Sequence, residues 1–188
     1  LWHAGYVQTY LERDVRALRQ VGDLGAFQSF VRALAARSAS LVNFAELSRE
    51  LGVALNTVRA WLSVLEASYQ VVVVRPYHAN VQKRLTKSSK LYVRDTGLLH
   101  FLAGLRRPAE LATWPKRGAS FEGLVIEELA ALAARRLVRP ELFFWRTQAG
   151  AEVDLLIIEG RHILPAEIKL GAAVDHYAMA GLRQCMKD

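Results

Sequence analysis

AGAEVDLLIIEGRHILPAEIKL, residues 149–170, decides the reading of this chain. It consists of two short apolar, partly β-branched runs joined at Glu159-Gly160-Arg161-His162, which is the pattern of a β-hairpin. A two-residue loop with Gly160 and Arg161 at its tip suits a type II′ turn. That register sets Glu159 opposite His162, Asp154 opposite Glu167, and Glu152 opposite Lys169. Side chains alternate between faces along a strand. Val153, Leu155, Ile157, Leu164, Ala166, Ile168 and Leu170 are therefore expected on one face, with no polar member. Glu152, Asp154, Leu156, Ile158, Ile163, Pro165, Glu167 and Lys169 are expected on the other, their charges gathered at one end. Two carboxylates directly opposite have Cβ atoms about 5 Å apart and destabilise the pair. A divalent cation between them, with a lysine one pleat further on, accounts for the crowding.

Around the hairpin the pattern is regular. Residues 121–133 (FEGLVIEELAALA) form a long helix that begins near Gly118 and ends at Arg135-Arg136. Glu122 lies on its apolar stripe, four residues before Ile126 and seven before Leu129, so it is either solvated at the stripe's edge or buried for a purpose. Glu127 and Glu128 read as outer-face charges. Residues 141–146 (ELFFWR) are a strand, 147–151 a turn, and 175–187 a second helix. The order is helix, three strands, helix.

The first part of the chain reads differently. Residues 6–19 and 27–36 carry helical stripes, and Asn43 with Glu46 is a relative of the capping box opening a helix that stops at Gly52. Asn56-Thr57 is expected to cap the next helix, Val58 to Ser68. Two such helices around a short Gly-containing turn are the helix-turn-helix signature. The strand 70–75, a basic segment 76–90 and the strand 91–94 complete a winged helix, with Lys83, Arg84, Lys87 and Lys90 on the wing. Asp95-Thr96 then caps a short helix to Leu102. The segment 106–115 reads as a separating loop. The recognition helix offers Asn56, Thr57, Arg59 and Ser63 to base edges, which is thin for direct readout, so backbone-dominated DNA binding of weak sequence preference is expected.

Charge supports that expectation. The net charge is +7. Residues 1–115 hold 15 Lys/Arg and 8 Asp/Glu, whereas residues 116–188 hold 10 of each, so the whole surplus belongs to the first part and a polyanion is its economical partner. An apolar fraction of 52% over 188 residues describes a folded globular chain. There is no signal peptide and no long uncharged apolar run, so no membrane partner is expected. Cys185 is the one cysteine, which excludes an internal disulfide and fits a cytoplasmic location. The five histidines show no metal-ligand spacing. The chain opens at Leu1 directly in a helical pattern and is expected to be cut from a longer protein.

The second half resembles the PD-(D/E)xK nuclease superfamily in its element order, with Asp154 on the second strand and Glu167-x-Lys169 on the third. That resemblance implies that Asp154 and Glu167 hold Mg²⁺ or Mn²⁺, that Glu122 joins them from the first helix, and that Lys169 positions or activates the attacking water. The Ile168 carbonyl is the further metal ligand expected between acid and lysine. Val153 replaces the superfamily's proline, and the strand that usually follows the second helix is missing, so a C-terminal truncation is expected. Over nearly the whole length, YLERD (10–14), KLYVRDTGL (90–98), Phe121-Glu122, FWRT (144–147), EVD (152–154) and EIK (167–169) resemble the C-terminal region of a bacterial and archaeal AAA-type ATPase family. The resemblance implies a connecting helix (1–23), a winged-helix domain (24–115) and a nuclease-like domain of unknown function (116–188), in an α/β (α+β) fold. The ATPase module precedes them in that family. No GxxxxGK[ST] loop occurs here, so an ATP site belongs to that missing module.

Two functions follow. In the first, the chain binds duplex or branched DNA and hydrolyses a phosphodiester through a metal-activated water, the ion also stabilising charge on the phosphate. In the second, the same fold is a catalytically silent platform for DNA or a partner protein, tethering its own ATPase.

Overall fold

The computed structural model describes residues 2–10, 22–78, 88–171 and 176–187. Its first unit starts with α1 (Trp2–Thr9) and α2 (Leu24–Ala36), followed by a two-residue strand, β1 (Ser40–Leu41). The Asp23 carboxylate caps α2 by accepting from the Ala26 N–H (2.9 Å). Asn43 Oδ1 caps α3 (Phe44–Leu51) by accepting from Ala45 N and Glu46 N. Gly52, at φ +64°, then ends α3 in the left-handed region, where a side chain would be strained. The next helix, α4 (Leu55–Ala67), starts three residues earlier than Asn56-Thr57 suggested, and its N-cap is Ala54. Asn56 thus lies in the first turn, not at the cap.

Phe27, Phe30, Leu34, Leu47, Val58, Trp61 and Leu65 from these three helices close a buried aromatic and aliphatic core. Each such side chain contributes about 1.5–3 kcal/mol by leaving water. Val71 and Leu91 extend that core onto β2 (Val71–Pro76) and β3 (Lys90–Val93), an antiparallel pair. Of the basic segment between them, Lys83, Arg84 and Lys87 lie outside the described residues. Asp95 caps α5 (Thr96–Leu102) through the Leu98 N–H (2.6 Å). The segment read as a loop contains a short helix, α6 (Pro108–Thr113), which Pro108 opens at the position where its missing N–H costs nothing.

The second unit has the expected order: α7 (Arg117–Ala134), β4 (Glu141–Arg146), β5 (Glu152–Glu159), β6 (His162–Ala166) and α8 (His176–Cys185). The chain is a mixed α/β protein with eight helices and a six-stranded mixed sheet among the described residues. The strand order is β1-β3-β2-β4-β5-β6. All neighbours are antiparallel except β2 and β4, whose parallel pairing at Arg75/Phe143 and Pro76/Phe144 joins the two units' sheets into one. The core crosses the expected 115/116 boundary too. Val74 and Tyr92 pack with Ile126, Phe144 and Leu155 under α7. Arg94 adds a fork of hydrogen bonds of 2.6–2.9 Å to both oxygens of Glu127, which is therefore a half-buried partner and not an outer-face charge.

The hairpin has the expected register from Glu159/His162 to Leu155/Ala166, and Gly160 alone in its tip has a positive φ (+61°), as a type II′ turn requires. Its faces differ from simple alternation. Phe143 pairs with Leu156 but Trp145 with Val153, so two residues of β4 span three of β5. This bulge puts Val153 with Leu156 and Ile158 on the α8 side, while Leu155 and Ile157 face α7. Asp154 was expected beside Leu156. The extra residue turns it to the α7 face instead, the re-aiming that bulges commonly provide. Pairing also stops at Ala166, so Asp154/Glu167 and Glu152/Lys169 are not ladder partners.

Candidate functional site

The charged end of the hairpin meets three other elements under α7. Period-two alternation in β3 sends Leu91 into the helical core and turns Lys90 and Tyr92 together toward α7. Gly123 admits the Tyr92 ring against the helix, where an added Cβ would stand 3.4 Å from its Cδ1. Glu122, one residue earlier, reaches the same place from above. The bulge brings Asp154 in from β5, and Glu152 completes the set.

At the centre is the ammonium of Lys90. It lies 2.5 Å from Glu152 Oε1, 3.0 Å from Glu122 Oε1 and 3.5 Å from Asp154 Oδ1. Lys90 is only 4% exposed and Asp154 6%. The Phe144 ring lies beneath, its centroid 5.7 Å from the ammonium. The Tyr92 hydroxyl donates to the same Glu122 oxygen (2.6 Å), and Arg146 Nη1 approaches the other end of Glu152 (3.2 Å). Around Asp154, the second oxygen accepts the backbone N–H of Ile168 (2.9 Å). That bond replaces the ladder pair that the register had offered.

Burial and charge pull against each other here. Burial by itself lowers Lys90, but the carboxylates of Glu122, Glu152 and Asp154 outweigh it and hold the ammonium above its ordinary value. Burial raises Glu122, with Asp154 adding to the rise and Lys90 opposing it. Tyr92 is pushed far up by burial and by the Glu122 carboxylate. Glu167 rises through burial, opposed by its bond to Lys169.

Glu167 and Lys169 join each other at 2.6 Å, and Lys169 is about half exposed. The other Glu167 oxygen is buried without a hydrogen-bond partner. Ile168, expected to lend its carbonyl, packs its side chain into the core under α7. The expected residues Glu122, Asp154, Glu167, Ile168 and Lys169 thus surround one end of the hairpin, but the first two converge on Lys90, not on a shared vacancy. Among the described residues no group of three or more His, Cys, Asp or Glu side chains is arranged to hold a metal ion. The residues present do not fit the divalent ion that the nuclease resemblance implies.

Lys90 is the main correction to the expected DNA-binding set. The sequence pattern places it on the wing, yet it is the first residue of β3 and its side chain is buried. The signal for this was in the sequence as Lys90-x-Tyr92, two residues that a strand must place on one face. Asn56, Arg59 and Ser63, by contrast, are exposed along one stripe of α4.

Residues 1–109 match the family model described as a domain of unknown function (DUF8612), and residues 117–188 match a second, also described as a domain of unknown function (DUF4143). The second is a domain found in AAA-ATPase-associated proteins. Similar chains include the uncharacterized protein Rv2008c of Mycobacterium tuberculosis and the uncharacterized protein Mb2031c of Mycobacterium bovis, each 42% identical over 161 residues. Those alignments cover 85% of this chain and 36% of each relative, so the chain spans about a third of their length. No solved structure matches it. No helix among the described residues is long and apolar enough to cross a membrane.

Proposed function

We propose that this chain, which belongs to the DUF8612 family, is the DNA-binding part of an AAA-type ATPase, a winged helix fused to a nuclease-like sheet that holds DNA without cutting it. The carrying observation is the outer stripe of α4. Asn56, Arg59 and Ser63 follow a helix and the left-handed turn at Gly52, and stand clear of the core that the opposite face of α4 closes. The sequence of elements from α2 to β3, with sheet order β1-β3-β2, supports the winged-helix part of this reading. Residues 1–115 carry the entire positive surplus, which suits the phosphate backbone. The ATPase acts in cis in this reading, and the location is cytoplasmic.

The test is fluorescence anisotropy with labelled duplex and branched DNA across salt concentrations. Binding should weaken steeply with salt, and each lost phosphate contact should reduce the log–log slope by about 0.9. Arg59→Ala and the triple Lys83→Ala/Arg84→Ala/Lys87→Ala should each weaken binding. Affinity unchanged in both would refute the reading.

Metal-dependent hydrolysis is the second reading, and it requires Lys90 to give up its place among the acids to the ion. It is favoured by the joined Glu167–Lys169 pair and the unpartnered buried Glu167 oxygen beside Asp154. Plasmid and junction cleavage by the wild type but not by Lys169→Ala would establish it. Cleavage by neither, with Mg²⁺ or Mn²⁺ present, leaves the platform.

A further inference from the structure

We propose that Lys90 is the resident cation of this site: its ammonium fills the place of a divalent ion, so the protein takes up no Mg²⁺ or Mn²⁺ there, and deleting the ammonium creates a divalent-cation site from Glu122, Glu152 and Asp154.

Donor counting supports this. An ammonium has three N–H donors, and Lys90 has three carboxylates within 3.5 Å, on three different residues. None of its donors is left for water or for DNA. The backbone that carries it is fixed on both sides, because β3 pairs Lys90 with Val74 of β2 and with Leu41 of β1. The side chain is also largely shielded from solvent, being 5% exposed and floored by Phe144. A divalent ion entering beside it would stand within a few ångströms of a buried like charge, a repulsion that a low-dielectric site magnifies.

Charge balance points the same way. Glu122, Glu152 and Asp154 against Lys90 and Arg146 leave a net charge of −1. Removing Lys90 leaves −2, which one divalent cation neutralises. The oxygens released, Glu122 Oε1, Glu152 Oε1 and Asp154 Oδ1, lie 2.5–3.5 Å from one point, so they become ligands once they close in on an ion whose oxygen shell stands at about 2.0–2.1 Å. Hard oxygen ligands of this kind suit Mg²⁺ and Mn²⁺.

The inference does not depend on DNA binding, so its failure would leave that reading standing. The experiment is a Mn²⁺ titration followed by electron paramagnetic resonance, on wild type, Asp154→Asn, Lys90→Met and Lys90→Met/Asp154→Asn, with thermal unfolding of each. Wild type should show no saturable binding. Lys90→Met should bind one Mn²⁺ per chain and be stabilised by it, and Asp154→Asn in that background should abolish both effects. Saturable binding by wild type that Asp154→Asn removes would overturn the proposal, as would a folded Lys90→Met that binds none. Should Lys90→Met not fold, acylation with an N-hydroxysuccinimide ester, mapped by mass spectrometry, decides together with the wild-type titration. Lys90 protected where Lys116 reacts supports a caged ammonium, and equal modification of the two refutes it.

Discussion

Lys90→Met keeps an unbranched side chain one atom shorter and deletes its charge, so it reports mainly the ammonium's contribution to stability. At the three N···O separations of 2.5, 3.0 and 3.5 Å and an effective dielectric near 20, each attraction is roughly 5–7 kcal/mol before opposing effects. Desolvation of each buried ion costs several kcal/mol and the carboxylates repel one another, so most of this cancels. Glu152 is a quarter exposed and is discounted further. What remains decisive is the asymmetry: removing one partner leaves uncompensated carboxylates in the core, which typically costs about 3–5 kcal/mol. Against a total of about 5–15 kcal/mol, such a loss lowers the urea midpoint sharply.

Unfolding followed through the buried Trp61 and Trp145 measures it. Lys90→Met/Glu122→Gln/Asp154→Asn should recover much of the loss, because the stranded charges leave with the lysine. Lowering the pH should act similarly. Burial already holds Glu122 above its ordinary value of 4.5, so the folded protein keeps that proton more tightly than the unfolded chain. Stability from this group therefore increases as pH falls toward 4.5, and without Lys90 to oppose the rise the gain should be larger in the variant. A Lys90→Met protein within about 1 kcal/mol of wild type at pH 7 would refute the reasoning, since the buried-charge mechanism would then be absent.

Two further outcomes follow from the same geometry. Lys90 and Tyr92 are both raised, so above about pH 10 the unfolded chain releases protons that the folded state retains, and stability should decline as pH rises from there; Tyr92→Phe should make that decline shallower, and urea midpoints between pH 8 and 11.5 check it. Gly181→Ala should destabilise by about 1–3 kcal/mol, because a Cβ there would stand 2.5 Å from the Glu152 carbonyl and push α8 off β5; helix propensity alone predicts a gain of about 1 kcal/mol, so a raised melting temperature would show that the contact yields.

Element order was legible because the pattern was locally redundant. Asn43 and Gly52 bracket α3 as their chemistry requires, Asp95 caps α5, and the Gly160 tip sets the hairpin register without any knowledge of what surrounds it. Each of these signals acts within a few residues. The parallel pairing of β2 with β4 was not legible, since it joins segments far apart in sequence and leaves no periodicity of its own. Nor was α6, whose stripe is too short to register as one.

The site shows the same limit more sharply. The sequence displays too many carboxylates at one end of an apolar ribbon, and charge has to be balanced by something. From the hairpin alone the only lysine in reach is Lys169, and the balance calls for a metal ion to complete it. Two events beyond local pattern change the answer. The bulge opposite Phe143/Trp145 turns Asp154 toward α7, where alternation would have left it facing α8. The β2–β4 pairing then carries β3 alongside, so that a lysine 64 residues upstream arrives between the acids. Neither event is written in the spacing of acid and lysine, yet together they replace an external cation by an internal one. A spacing motif states which charges are present; the sheet that assembles around them determines what neutralises them.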